Sequence, residues 1–352
     1  MASPRPVPLW DKLRGISIAL QGVAYSIVQL ILGRGIKSKP RAKRFVYALI
    51  RYVANNTSTA GDYALGYPGS EGRYLEFCRK KGFQPDTVVL DHGAKAHWLG
   101  GRDAERIIVW FHGGGFALPL TAGHLTWLHR WSQSLSKQKS TSAVMLNYTL
   151  VPEARYPTPI KQAAALLNYL LTEGGKRPDQ IIIGGDSAGG NMTLGLLSHI
   201  LHPHPQIPDK INLSGPLAGA CLVSPWVNFT KTDAAFQANL DKDIIGSSVG
   251  DRWGPNYRGD HTDNYIEAVY AEPEWFQGID RAVSNIWVWA GSAEVLVGSI
   301  TNIAENLTKV HPRVDYFIEE DAIHIAFFLD AEHFPIEDTV STKKLEQWFG
   351  SV

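Results

Sequence analysis

Cysteine is almost missing from this chain, with only Cys78 and Cys221 among 352 residues. Two cysteines so far apart in sequence, without metal-ligand spacing, exclude a disulfide framework and a zinc site and fit a reducing, cytoplasmic compartment. A surplus of either charge is missing as well. Lys plus Arg and Asp plus Glu both number 34, for a formal net charge of +0, so no polyanionic partner and no nucleic-acid surface is expected. No block of like charge, internal repeat or low-complexity tract stands out, and no convincing small-residue cleavage site marks a signal peptide. Among the Asn-x-Ser/Thr sequons, Asn191-Met192-Thr193 falls in the turn after Ser187 and Asn147-Tyr148-Thr149 ends a buried strand. Glycans there would obstruct folding, so both read as chance matches.

Long apolar runs are scarce too. One, residues 15–32, follows Lys12 and Arg14 and precedes Arg34, Lys37 and Lys39. Ser17, Gln21, Gly22, Ser26 and Gln29 interrupt it, and its length is close to the lower limit of roughly 17 residues for a spanning helix. It reads as a surface-packed helix, with membrane association through residues 15–32 as the alternative.

What is present is an alternation of strands and helices after residue 85. Residues 87–90 and 95–99 read as a short antiparallel pair, and 106–111, an Ile-Ile-Val-Trp-Phe run, as a strand buried on both faces. Helices near 122–136, 159–173 and 188–201 then alternate with strands near 142–147, 180–184 and 218–224. Strands near 285–290 and 313–318 and a closing helix near 338–349 complete the series. The fold class is therefore α/β, with a mostly parallel central sheet flanked by helices. Two regions break the rhythm: residues 1–85, helical and aromatic, and about 226–283, rich in Trp, Tyr, Asn, Asp and Pro. Long irregular insertions are more often lids than idle loops. The chain is thus divided into an N-terminal helical cap region, 1–85, and a core, 86–352, with a cap insertion at about 226–283.

The chemistry begins at Gly185-Asp186-Ser187-Ala188-Gly189, between the apolar run 181–183 and a helix. A sharp strand-to-helix turn would strain and expose the central serine, with small residues where strand and helix nearly touch. A second signal, His112-Gly113-Gly114-Gly115-Phe116, directly follows the strand 106–111. Consecutive glycines let backbone N–H groups face a ligand unobstructed, as a developing oxyanion requires. Gly113 and Gly114, with Ala188 after the serine, are the expected donors; His112 is expected to brace the loop.

A serine hydroxyl needs a base, and the base needs a carboxylate to orient it. His324 follows the late strand 313–318 in a loop and is the expected base. His199, His202 and His204 fall toward the far end of the helix after Ser187 and read as surface or packing residues, and His311 and His333 as ordinary surface residues. Glu294 leaves the strand 285–290 and is the preferred acid. Asp315, within a strand, and Asp321, too near His324 to face it, are its competitors.

These segments, with Tyr148-Thr149-Leu150-Val151-Pro152-Glu153, resemble the hormone-sensitive-lipase-like branch of the α/β-hydrolase superfamily, and the pattern is similar to fungal members. The resemblance covers most of 85–350. It implies a helical cap and a serine esterase of small lipophilic esters working through Ser187, Glu294 and His324, with no cofactor or metal. Glu294 stands where that family more often carries aspartate, and Gly298 where relatives commonly have another acid, so an auxiliary polar contact is expected to be missing. The apolar Ile325-Ala326-Phe327-Phe328 after the histidine suggests a lipophilic acyl or alcohol group near the reaction centre. A tailoring hydrolase of fungal secondary metabolism is a narrower version. Acyl transfer or an assisted condensation on the same scaffold, and a non-catalytic small-molecule receptor, are the alternatives, the last opposed by retention of His324.

Overall fold

The structure, a computed structural model, describes residues 8–352; the first seven residues of the expected N-terminal region lie outside the described residues. Four helices come first: α1 (Leu9–Ile31), α2 (Arg41–Asn56), α3 (Thr59–Gly66) and α4 (Gly69–Lys81). The core then runs β1 (Asp86–Val89), β2 (Lys95–Leu99), β3 (Arg106–Phe111), α5 (Ala122–Leu135), β4 (Thr141–Asn147), α6 (Thr158–Leu171), β5 (Ile181–Asp186), α7 (Ala188–Leu201) and β6 (Gly219–Val223). After the insertion, which holds α8 (Ala234–Asn239) and α9 (Ser247–Arg258), come β7 (Ile286–Gly291), α10 (Val297–Val310), β8 (Val314–Glu319), α11 (Ala326–His333) and α12 (Val340–Ser351).

The strands form one sheet in the order β1-β2-β4-β3-β5-β6-β7-β8. β1 pairs antiparallel with β2 and β2 with β4; every later pairing is parallel. The reason is written along β3. Ile107, Val109 and Phe111 enter the core on one face, while Ile108 and Trp110 enter a second core on the other, all buried. Such a strand is stable only between two layers of helix, with each buried aliphatic side chain contributing about 2 kcal/mol. β5 repeats the pattern, since Ile181, Ile182 and Ile183 are wholly buried. Each expected core element stands within two residues of its expected range.

One expectation changes. The insertion is not irregular throughout, because it contains α8 and α9 and several short 3₁₀ turns. Asn191 lies in the first turn of α7, directly after Ser187 as expected; it is buried, and its Nδ2 donates to the carbonyls of Trp226, at 2.8 Å, and Ile266. The N-terminal helices pack on the insertion. Buried Asp62 of α3 accepts Arg252 Nε at 2.7 Å and Trp253 Nε1 at 2.9 Å from α9, and Ser248 donates to the Asn55 carbonyl at 2.7 Å.

Candidate active site

β5 ends at Asp186 and α7 begins at Ala188, which leaves Ser187 as the hinge with φ 53° and ψ −116°. A side chain rarely adopts this backbone conformation, and holding it costs about 1–3 kcal/mol. Neighbouring bonds hold it: Ser187 N donates to the Val223 carbonyl at 2.9 Å, and its own carbonyl accepts Trp226 N at 2.9 Å and Asn191 N at 3.0 Å. Gly189 has to be glycine, because a Cβ there would run into the Phe111 carbonyl. Beside the serine, Asp186 is fully buried; its Oδ1 accepts Trp110 Nε1 at 3.0 Å and its Oδ2 meets His124 Nε2 at 3.0 Å. Burial would push the Asp186 carboxyl up, but His124 and the Trp110 hydrogen bond hold it below the usual range. His124 Nδ1 also accepts Thr121 N at 2.9 Å, closing a capping box on α5.

The loop after β3 comes back against this turn. A Cβ on Gly113 would strike Asp186 and the Ser187 side chain, and Gly114 adopts φ 104°. The N–H groups of Gly113, Gly114 and Ala188 are not among the donors of the described backbone hydrogen bonds. His112 is tied into the loop: Nδ1–H donates to the Gly113 carbonyl at 2.8 Å, the ring stacks on Tyr148 at 4.4 Å, and Tyr148 Oη donates to the His112 carbonyl at 2.8 Å. Burial pushes its pKa down to about 3, so it stays neutral and acts as a brace.

From the ends of β7 and β8 come the other two groups. His324 Nδ1 lies 2.8 Å from Glu294 Oε2, with both side chains buried. A carboxylate only accepts, so Nδ1 carries the proton and Nε2 is left unprotonated in the neutral ring. Glu294 Oε1 accepts Gly291 N at 2.8 Å and Ser224 Oγ at 3.1 Å, which fixes the carboxylate. Burial would lower the His324 pKa, but the Glu294 hydrogen bond and charge, with Asp243 and Asp186 beyond, raise it above 6.5. Ser187 and His324 line one pocket, and no direct hydrogen bond between them is among those described.

Asp243, from the loop between α8 and α9, is a residue that sequence reasoning missed. Fully buried, it accepts His324 N at 3.0 Å and Ile244 N at 2.7 Å on Oδ1 and Val295 N at 2.8 Å on Oδ2. One carboxylate therefore grips the main chain beside both the candidate acid and the candidate base. Burial, with Glu294 nearby, pushes its pKa up to about 6. Asp243→Asn replaces one acceptor oxygen with a donor and strands at least one buried N–H, at about 1–3 kcal/mol. We expect a melting temperature several degrees lower and about ten-fold lower kcat with little change in KM; an unchanged kcat would limit Asp243 to folding.

The pocket encloses about 410 Å³, including solvent at its mouth. Its apolar wall comes from the insertion and its flanks, with Trp226, Phe229, Phe236, Ile245, Val249 and Trp253. The 325–328 segment contributes differently than expected: Phe327 and Phe328 are buried in the core cluster with Trp110, Trp127 and Trp131. The gap at Gly298 is also filled differently. A Cβ there would meet the Asp233 carboxylate, which caps α8 by accepting Ala235 N at 2.8 Å, so an acid from the insertion stands beside the glycine. Asp321 accepts Ser38 Oγ and Asp315 is exposed in β8, so neither meets His324. His333 is exposed. His311 is not a surface residue: it is buried, with Nε2 2.9 Å from the Val283 carbonyl and Nδ1 accepting Arg313 N at 3.0 Å. His199 and His204 are buried packing residues, and His202 Nε2 lies 2.8 Å from the Trp275 carbonyl.

An eight-stranded, mostly parallel sheet with a strained serine at a strand-to-helix turn defines a hydrolase architecture. Residues 108–329 match the family described by the alpha/beta hydrolase fold, and the chain belongs to that family. The proteins it is similar to include hormone-sensitive lipases. It is 26% identical over 163 residues to steryl acetyl hydrolase 1 of Saccharomyces cerevisiae, covering 45% of this chain and 31% of that protein. It is 28% identical over 116 residues to human hormone-sensitive lipase, covering 32% of this chain and 10% of that protein. The match spans half or less of the length of the similar curated relatives. The solved structure of a hormone-sensitive lipase from a metagenome library shares the fold at a TM-score of 0.63 and 23% identity, covering 88% of this chain and 97% of that one.

Proposed function

We propose that this protein hydrolyses carboxylic esters of small lipophilic molecules through an acyl-enzyme on Ser187. The observation that carries the reading is the buried His324–Glu294 pair at 2.8 Å, with His324 and the strained Ser187 on the wall of one pocket. In this mechanism Ser187 Oγ attacks the ester carbonyl as His324 Nε2 takes its proton, and Glu294 stabilises the imidazolium that forms. The N–H groups of Gly113, Gly114 and Ala188 receive the oxyanion, each such donor being worth about 3 kcal/mol in the transition state. His324 then protonates the leaving alcohol and activates the water that releases the acid. No metal or cofactor takes part.

Residues 8–85 and the insertion act as a cap over this centre, joined by the Asp62 contacts to Arg252 and Trp253. The aromatic wall favours an apolar alcohol or acyl group. Relatives named as acetyl hydrolases, among them one acting on steryl acetates by name, support a short acyl chain. A fluorophosphonate probe should label Ser187 stoichiometrically, and p-nitrophenyl acetate and butyrate should turn over at least ten-fold faster than the laurate. No labelling, alongside a serine esterase that does label, would sink the proposal. A tailoring step on a secondary metabolite would use the same centre and would show as a strong preference for that metabolite's ester over the p-nitrophenyl series.

A further inference from the structure

Helix α1 is amphipathic in the opposite sense to a core helix. Its buried positions are Ile18, Gly22, Ser26 and Gln29, while Leu9, Leu13, Ile16, Leu20, Val23, Ile27 and Ile31 are 39–77% exposed. The exposed residues recur every three or four positions and so form one stripe along the helix, about 35 Å long at 1.5 Å per residue. The face toward α2 is the small and polar one: Ser26 Oγ donates to the Gly22 carbonyl at 2.7 Å, and a Cβ on Gly22 would meet Leu49 and Tyr52. Trp10, 75% exposed, sits at one end of the stripe.

The charge around this helix is one-sided despite the neutral chain. Residues 8–60 hold nine Lys or Arg and a single acid, Asp11. Lys43 is paired with Asp330 and Glu337, but no ion pair is described for Lys12, Arg14, Arg34, Lys37 or Arg41, all exposed. Beside the C-terminal end of α1 a second pocket of about 300 Å³ is lined by Gln29, Arg34, Arg44, Arg51 and Lys242, with no acidic side chain on its wall. Arg51 is 8% exposed, and both its Nε and that of Arg44 are buried without a hydrogen-bond partner. Buried guanidinium donors left unmatched in a cationic pocket call for an anion.

We propose that the protein docks on an anionic phospholipid surface, with α1 lying in the interface and one headgroup phosphate seated between α1, α2 and Lys242. The apolar stripe and the unpaired cations flanking it are complementary to acyl chains and to anionic headgroups respectively. Leu30, on the pocket rim, is close to the flank of the stripe, so a lipid beside the helix can offer its phosphate to Arg34 and Lys242. A second copy of this chain would instead bring two strongly cationic surfaces together. The site also lies near the ester-binding pocket. Arg51 donates through Nη1 to the Asp241 carbonyl, and Asn55 accepts Ser248 Oγ at 2.8 Å, next to the Ile245 and Val249 wall. Lipophilic esters dissolved in the bilayer would thus be presented close to the reaction centre.

Binding can be measured without turnover, so it is judged apart from the esterase reading. In co-sedimentation with the full chain, vesicles of phosphatidylcholine with about 30% phosphatidylserine should bind at least ten-fold more tightly than phosphatidylcholine alone, with salt weakening the difference. Leu20→Glu/Ile27→Glu should abolish binding to both, and Arg34→Gln/Lys242→Gln should remove only the anionic preference. Leu20 and Ile27 are exposed, so circular dichroism should show unchanged folding. Inorganic phosphate alone should leave the melting temperature unchanged. The proposal is overturned by absence of vesicle binding, or by a phosphate-dependent rise in melting temperature without it, which would mark a free-anion site. A dimer that Leu20→Glu/Ile27→Glu dissociates, or carbonate-resistant insertion as a spanning helix, would overturn it equally.

Discussion

Ser187→Ala is expected to lower kcat/KM for p-nitrophenyl butyrate by roughly 10⁴–10⁶-fold while leaving the fold intact. The hydroxyl is the only part removed, and the backbone bonds to Val223, Trp226 and Asn191 that hold the turn involve main chain at residue 187. Alanine meets the same strain at φ 53°, so the melting temperature should move by less than about 3 °C. The residual rate should come from binding and from the Gly113, Gly114 and Ala188 N–H groups alone. A variant that keeps more than a hundredth of wild-type turnover would show that another group carries the reaction, and fluorophosphonate labelling of that variant would locate it.

Glu294→Gln should cost about 10⁴-fold in kcat, because an amide can present its N–H₂ to His324 Nδ1 and thereby favour the wrong tautomer. Asp321→Asn, which removes the partner of Ser38, should stay within about three-fold of wild type. The pH profile separates the acid's role from packing. Catalysis needs the neutral ring, so kcat/KM should rise as pH climbs through the His324 pKa, which Glu294 helps hold above 6.5. In the glutamine variant burial weighs more heavily, and the inflection should shift to lower pH. The same raised pKa contributes stability fully present below pH 6.5 and lost as pH rises through the folded value. That component should shrink in Glu294→Gln, and an unshifted inflection would remove Glu294 from its assigned position beside the base.

What is legible in the sequence is local. The elbow and the glycine loop each occupy a handful of consecutive residues after an apolar strand, and the sheet follows from strands such as 106–111 that alternate between two cores. His324 and Glu294 required only chain order and strand ends. Contacts made across the fold left no comparable trace. Asp243 lies 81 residues from His324 in a stretch with no periodic signal, and its neighbours Asp241 and Lys242 look no different on paper. Asp186 passes as the variable residue of a short motif, although Trp110 and His124 hold it from two other elements. His311 reads as a surface residue because a histidine after a helix is usually solvated, and its burial depends on Val283 arriving from a distant loop. The stripe on α1 was visible as apolar content, but its outward direction emerges only once Gly22 and Ser26 are seen facing α2.

The reach of Asp243 makes the insertion a structural member of the proposed reaction centre. A segment that merely covered a pocket could swing away and return, or be exchanged for a relative's, with no effect on the machinery beneath. Here the same stretch that lines the pocket with Phe236 and Val249 also holds the amides beside acid and base. Opening it as a unit would slacken the histidine loop, so ester and product should pass through shifts of individual side chains on the pocket wall. Transplanting this insertion between esterases would carry alignment of the base along with substrate preference, and a chimera lacking the carboxylate should bind esters and turn them over poorly.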